Sequence, residues 1–355
     1  MLKGNKGEWG EIYAFCYLLA NGQLHAADKN LNSLEAVYFP ILKIIREEIF
    51  GNVYSYHNDE NIKIYLGEKQ IKELSKADFA EVVEILYEKI PLGERTFEIS
   101  EVSEFFKSIY CTKLKASSAK KQDIVIQIHD INTGVKPICG FSIKSYLGSN
   151  PTLINPGENT NFIFNVTCCN DDIMNSTNTI ETRTKIIDKI RYLLEQGCEF
   201  DIEEHLISGQ FEENLGFIDT AMPKILSIAL LYSYKFKLNL TKAIIEKMKE
   251  LNPLNFSNTM MYEYKFKKLL CAFALGMTPE KIWEGSEDAN GGYIVVKKDG
   301  SVVCYHIYNR TDFEQYLFDY TYFDRPSTSR YNYMSVYKEN GVYKIKMNLQ
   351  VRFNA

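Results

Sequence analysis

Residues 123–144 read DIVIQIHDINTGVKPICGFSIK and carry the clearest β pattern in the chain. Apolar and polar residues alternate on both sides of the turn sequence Asn132-Thr133-Gly134, which predicts a β-hairpin. A turn centred near Thr133 and Gly134 pairs residues whose numbers sum to about 267. This register places Asp123 opposite Lys144, with Ser142 on the same polar face as Lys144.

An acid beside a lysine suits metal-assisted hydrolysis of a phosphodiester bond. The carboxylate holds Mg²⁺, and the lysine orients the attacking water or stabilises the transition state. An ordinary cross-strand ion pair is the alternative interpretation. The spacing Asp123-x₁₈-Ser142-x-Lys144 is compatible with the PD-(D/E)XK nuclease pattern. It departs from that pattern in two places, with Gln122 where Pro would stand and Ser142 where Asp or Glu would stand.

The beginning of the chain offers the carboxylate that Ser142 does not supply. Apolar residues at 9, 12, 16 and 19 predict an amphipathic helix over residues 8–20. Glu8 and Glu11 lie near its start, and both are candidates for a catalytic, metal-binding carboxylate. A partly buried site favours Glu8, because Glu8 lies at the edge of the apolar stripe. The alternative is that both are solvated acids that stabilise the helix dipole.

The remaining periodicity predicts an α+β fold. Helical spacing recurs at 33–49, 77–89, 100–108, 180–195, 223–237, 240–251 and 260–275, so that roughly the first 110 residues should be mainly helical. Strand patterns cover 162–168 and two hairpins, at 293–308 and 331–353. A composition shift near Asn178 suggests a catalytic core over residues 1–178 and a helical and β-hairpin region for DNA recognition over residues 179–355.

Several longer strings resemble the HpaII family of type II restriction endonucleases over essentially the whole chain. They are KGNKGEW at 3–9, GFSIKS at 140–145, LGS at 147–149, PTL at 151–153 and PSTSR at 326–330. The resemblance implies an α/β/α core, in which a central mixed sheet is flanked by helices. It also implies a Mg²⁺-dependent enzyme that cuts double-stranded DNA at the palindrome CCGG, beside a cytosine methyltransferase that protects the host. By position, Asp123 and Lys144 would be catalytic, with Ser142 between them.

DNA contacts are expected from three groups of residues. The polar stretch after the predicted hairpin offers hydroxyl and amide groups at Ser145, Ser149, Thr152, Asn155 and Asn161, unless it is only a long loop. Phosphate contacts are assigned to Lys120, Lys121 and Lys136. Reading G·C pairs requires basic donors for guanine and acidic acceptors for cytosine, which assigns base contacts to Asp324, Arg325 and Arg330.

Bulk properties narrow the choice of function. The net charge of −5 hides two basic islands, at 111–145 and 325–355. The chain contains no G-x₄-G-K-[ST] loop for nucleotides, and without a signal peptide or a membrane-length apolar run we expect a cytoplasmic protein. A DNA-repair nuclease on the same core and an inactive DNA-binding relative remain alternatives. A palindromic target favours a homodimer on DNA, although the sequence leaves a monomer open.

Overall fold

The computed structural model describes residues 2–115, 122–202 and 209–354. The helices in these ranges are α1 Lys6–Asn21, α2 Lys76–Lys89, α3 Ser103–Ser108, α4 Asp171–Asn178, α5 Lys185–Glu195, α6 Gly209–Ile218, α7 Met222–Lys235, α8 Thr241–Leu251, α9 Met260–Leu275, α10 Arg310–Asp319 and α11 Thr328–Tyr331. The strands are β1 Gln23–Ala27, β2 Ser33–Glu47, β3 Val53–Asn58, β4 Ile62–Leu66, β5 Lys69–Leu74, β6 Ile124–Ile128, β7 Ile138–Ser145, β8 Thr152–Ile154, β9 Asn161–Thr167, β10 Glu199–Ile202, β11 Gly292–Val296, β12 Val302–Tyr305, β13 Thr321–Asp324, β14 Val336–Glu339, β15 Val342–Asn348 and β16 Gln350–Phe353.

A nine-stranded sheet forms the centre of the fold, in the order β1-β12-β11-β7-β6-β2-β3-β4-β5. The sheet is mixed, because β11 runs parallel to β7 and β1 runs parallel to β12, whereas the other pairs are antiparallel. Alternate residues of β11 enter two different hydrophobic cores: Ile294 packs with α1 and α2, and Tyr293 packs with α7, α9 and α10. Helices therefore cover both faces of the sheet, and the prediction of an α+β fold is confirmed.

The predicted helix over 33–49 is wrong, because these residues form the long strand β2. Its buried residues Phe39 and Ile41 alternate as in any strand, but a bulge between Ile41 and Lys43 shifts the alternation so that Ile44 is buried next. The resulting spacing of three residues imitates a helix. Strands β3, β4 and β5 follow, so the prediction of a mainly helical first part is also wrong.

The predicted boundary near Asn178 stays a prediction. Strands β11 and β12 come after it in the chain and yet pair within the central sheet, so the two predicted regions share that sheet. Two smaller sheets, β10-β9-β15-β14 and β13-β16-β8, join strands from both sides of the boundary.

No single helix in the described ranges is long and apolar enough to span a membrane. Helices α6 and α7 reach the required length and composition only when they are counted together, and they are bent by 108° relative to one another.

Candidate active site

The hairpin of β6 and β7 forms as predicted, but its register differs by two residues. Ile124 pairs with Phe141, and the Asp123 amide donates to the Phe141 carbonyl at 2.9 Å. Asp123 therefore lies level with Ser142 and not with Lys144. The cause is the turn, which is closed between Asp130 and Val135 and so is centred one residue earlier than expected. Because the slip is an even number, Asp123, Ser142 and Lys144 still share one face.

The Asp123 carboxylate is held by the neighbouring strand. Its Oδ2 accepts hydrogen bonds from the Ile143 amide at 2.8 Å and from the Ser142 hydroxyl at 3.2 Å. Ser142 is only 2% exposed, so this hydroxyl is a buried partner of the acid. The serine thus occupies the position of the second carboxylate of the nuclease pattern and orients the first one.

Glu11, on α1, faces the same site. Glycine at position 10 permits this, because a Cβ there would lie 2.3 Å from the Ser145 Cβ, so α1 packs directly against the end of β7. Glu8 is used differently: its carboxylate accepts from the Asn5 amide at 2.8 Å and completes the capping box of α1. The expectation that burial favours Glu8 is therefore not met by the geometry, which brings Glu11 to Asp123.

Burial raises the pKa of Glu11 from 4.5 to about 8, and the negative charge of Asp123 adds to the effect. Lys115 and Lys144 oppose it. The Glu11 Oε2 atom is buried and has no hydrogen-bond partner among the described residues. A buried carboxylate oxygen normally has a hydrogen-bond donor or a cation as its partner. The missing partner and the raised pKa together make Glu11 a candidate for a functional site.

These side chains line one cavity of about 250 Å³, the catalytic cavity. One wall carries Glu11, Asp123, Ser142 and Lys144, and Lys115 also lines it; the remaining lining comes from 152–155 and 278–280. Among the described residues no group of three His, Cys, Asp or Glu side chains is close enough to hold a metal ion. Glu11 and Asp123 are the acidic pair on the wall that carries Lys144, and Glu280 adds a third carboxylate to the lining of the cavity.

Sequence reasoning missed the segment 278–280. It is held by Asn214 of α6, a fully buried residue whose amide group donates to the carbonyls of Thr278 at 3.1 Å and Lys281 at 2.8 Å. The side-chain oxygen of Asn214 accepts from the Trp283 amide at 3.1 Å. Helix α6 thus holds a loop at the catalytic cavity, and no local motif in the sequence signals it.

Comparison with known proteins identifies the family. A family model described as HpaII restriction endonuclease matches residues 5–353. The type II restriction enzyme HpaII of Haemophilus parainfluenzae is 41% identical over 356 residues, which cover 99% of this chain and 98% of that protein. The chain belongs to the HpaII restriction endonuclease family. It is accordingly a site-specific nuclease that acts on DNA. No solved structure matches the chain.

Several predicted DNA contacts of this HpaII-family chain surround a second cavity of about 330 Å³, the flanking cavity. It adjoins the catalytic cavity, with which it shares Lys144, Thr152 and Asn155. Ser145 and Ser149 also line it. Asn161 lies elsewhere: it is buried and bonded to the Tyr331 carbonyl at 2.9 Å and to the Asn348 amide at 2.8 Å. The structure therefore does not bring Asn161 to either cavity.

The three predicted base-contacting residues have different surroundings. Asp324 forms an ion pair with Arg352 at 3.3 Å. Arg325 lies over the Tyr234 ring and donates to the Ser233 carbonyl at 2.9 Å, which ties it to α7. Arg330 is exposed on the short helix α11, so it is the one of the three whose position suits an external ligand.

Of the three predicted phosphate-binding lysines, the structure describes Lys136, which lines neither cavity. Lys136 is exposed in the turn of the β6–β7 hairpin, at the opposite end from Asp123. Lys120 and Lys121 lie outside the described residues. The cavities instead receive basic residues that the sequence did not single out for this role: Lys115 at the catalytic cavity, and Lys6 and Arg352 at the flanking cavity.

Proposed function

We propose that this endonuclease hydrolyses phosphodiester bonds in double-stranded DNA at the palindrome CCGG, with Mg²⁺ as its cofactor. One observation carries the proposal for the chemistry: two carboxylates, Glu11 and Asp123, line the same cavity as Lys144. Family membership supports the choice of DNA as the substrate, and the resemblance to the HpaII family supports CCGG as the target.

The residues of the catalytic cavity fit Mg²⁺. This ion commonly binds through one or two carboxylates, keeps several waters and takes further oxygens from the substrate phosphate. Glu11 and Asp123 supply two carboxylates, and the buried, unpartnered Oε2 of Glu11 requires a cation if it is to be ionised near pH 7. When bound, Mg²⁺ would lower the pKa of a coordinated water and offset the negative charge that develops on the phosphate.

The protein's own groups would then divide the work. Asp123 is kept in one orientation by Ser142 and by the Ile143 amide, so its carboxylate is organised before the substrate arrives. Lys144, two residues further along β7, would hold the attacking water or stabilise the extra negative charge of the transition state. Ser142 acts through Asp123, which makes it a positioning residue.

The cellular setting follows from the same proposal. A cytosine methyltransferase would protect the host's own CCGG sites, and the protein would work in the cytoplasm where that DNA lies. A two-fold symmetric target suits a homodimer on DNA, because each subunit then meets an identical half-site.

A plasmid digest tests the proposal. Unmethylated plasmid is incubated with wild-type protein, Lys144→Ala and Lys136→Ala, each with Mg²⁺ and with chelator, and the fragment ends are sequenced. The wild type should give discrete Mg²⁺-dependent fragments that end at CCGG. Lys144→Ala should lose at least 100-fold in rate, about the cost of one electrostatic group at a reacting centre. Lys136→Ala, the matched control at the other end of the hairpin, removes a predicted phosphate contact but no group of the catalytic cavity, so at saturating enzyme it should cut at the wild-type rate.

Each other outcome points to a different error. Fragments that end at another sequence would reject CCGG but keep the nuclease chemistry. Intact DNA with wild-type protein in Mg²⁺ would reject the proposed catalytic site and favour an inactive DNA-binding relative, with Ser142 as the first residue to examine. Premethylated plasmid should resist cutting, and sedimentation with and without a CCGG duplex reports whether a dimer forms.

A further inference from the structure

The flanking cavity has a marked excess of positive charge. Its basic residues are Lys6, Lys144 and Arg352, and its described lining contains no acidic side chain. The other lining residues are small and polar or are glycine and proline, such as Ser149 and Asn155. A concave surface of this kind raises the local concentration of anions and suits the DNA backbone better than the base edges.

Lys6 is fixed at one wall of this cavity. Its side chain passes over Gly148, where a Cβ would lie 2.8 Å from the Lys6 Cβ and 2.5 Å from the Lys6 Cδ, so only glycine leaves room for it. Its Nζ donates to the Pro91 carbonyl at 2.7 Å. An ammonium group has three N–H donors, so this contact anchors the charge and leaves donors for an anion.

The positive charge comes from side chains and not from the end of the nearby helix. The amides of Gly7 and Glu8 at the start of α1 already donate to the Asn5 side chain, at 2.8 and 3.1 Å. On the β16 side, Arg352 donates to the Asn150 carbonyl at 2.8 Å, and its charge is partly offset by the ion pair with Asp324. Of the two cations that line the flanking cavity but not the catalytic cavity, Arg352 has an acidic partner, whereas the described contact of Lys6 is to a neutral carbonyl.

Resting on the function proposed above, we propose that the flanking cavity binds the DNA phosphate next to the one that is cut, with Lys6 as the residue that positions it. The two cavities share Lys144, so a strand whose scissile phosphate lies at Lys144 continues directly into the flanking cavity. A second fixed phosphate would set the position of the strand along the site. Lys6 would thereby contribute to binding and to alignment, while the reacting groups remain Glu11, Asp123 and Lys144.

The test measures binding separately from cutting. Fluorescence anisotropy in chelator gives the affinity of a labelled CCGG duplex for wild-type protein, Lys6→Met and Lys3→Met at several salt concentrations. Lys6→Met keeps the stem and removes the charge, and the exposed Lys3 is the matched control on the same segment. Lys6→Met should bind about 5- to 20-fold more weakly, and the slope of log affinity against log salt should fall by about 0.9, as for one lost phosphate contact.

A second set of duplexes locates the contact. Each carries a single neutral methylphosphonate at one phosphate around the cut. The methylphosphonate next to the scissile position should weaken DNA binding by the wild type but hardly affect binding by Lys6→Met. The phosphate charge that it removes has already lost its lysine partner in that variant. Gly148→Ala, which forces Lys6 aside, should reproduce part of the Lys6→Met effect and provides an independent variant should Lys6→Met fold poorly.

The outcomes separate the two proposals. Lys6→Met with wild-type affinity and salt slope, or with equal sensitivity to every methylphosphonate, overturns the role of Lys6 even if the plasmid is cut at CCGG. Wild-type protein that binds the CCGG duplex no better than a scrambled duplex overturns the proposed target, whatever Lys6 does.

Discussion

Replacing Glu11 with glutamine tests the electrostatics of the catalytic cavity directly. The pKa of Glu11 is about 8 in the folded protein, whereas its ordinary value, which applies to the unfolded chain, is 4.5. Between pH 4.5 and pH 8 the folded chain therefore holds a proton that the unfolded chain has released. Folding then takes up a proton, and each unit of rising pH lowers the free energy of unfolding by up to about 1.4 kcal/mol. Partial hydration of the Glu11 side chain weakens this pH dependence. From pH 5.5 to 7.5 we therefore expect the free energy of unfolding of the metal-free protein to fall by about 1 to 3 kcal/mol.

The assay is equilibrium unfolding by urea in chelator, for wild type and Glu11→Gln at pH 5.5 and 7.5. All other titrating groups are common to both proteins and cancel in the comparison. Glu11→Gln should gain about 1 to 3 kcal/mol relative to wild type on going from pH 5.5 to 7.5. Glu8→Gln, which keeps the acceptor of the capping box, should follow the wild-type curve. Adding Mg²⁺ at pH 7.5 should stabilise the wild type more than Glu11→Gln. Parallel curves for wild type and Glu11→Gln in chelator would refute the argument.

Three further predictions follow from the packing. Gly10→Ala should reduce the single-turnover cleavage rate at least 10-fold, because the new Cβ would lie 2.3 Å from the Ser145 Cβ of β7 and push α1 away. Gly216→Ala is the control: a Cβ there meets open space, so the rate should not change. Asn214→Ala should destabilise the fold by about 2 to 3 kcal/mol in urea unfolding, because buried loop groups lose their partners, and normal stability with normal cleavage would contradict this. Arg330→Ala should change the relative rates of cutting at CCGG and at its one-base variants. Arg325→Ala should chiefly lower the melting temperature. Unchanged cutting by Arg330→Ala would show that α11 does not take part in recognition.

The part of the site that the sequence predicts is the part fixed by local periodicity. Side chains alternate across a strand, so the common face of Asp123, Ser142 and Lys144 holds for any even shift in register. The register itself depends on the turn, and the sequence Asn132-Thr133-Gly134 is compatible with more than one turn centre. The register error of two residues therefore keeps Asp123, Ser142 and Lys144 on one face, but places Asp123 opposite Lys144 when it lies opposite Ser142.

The features that the sequence does not predict depend on contacts between distant segments. The sequence of strand β2 imitates a helix because its bulge changes the spacing of the buried residues, and a bulge forms only against the partner strand β6. Glu11 could not be preferred over Glu8 without knowing that Gly10 packs on Ser145. The loop at 278–280 reaches the catalytic cavity through Asn214, which lies 64 residues away from Thr278 in the chain.

The serine at position 142 changes what the proposed site depends on. In the nuclease pattern, both carboxylates and the lysine lie on the hairpin, so the hairpin alone fixes their spacing. Here β7 keeps Lys144, Asp123 directly precedes β6, and another carboxylate comes from Glu11 on α1. The distance between the two acids is then set by how closely α1 packs against β7, a contact that has glycine on one side and serine on the other. Catalysis should therefore be more sensitive to substitutions at this helix–strand contact than to changes in the hairpin turn, although the turn is nearer to Asp123 in sequence.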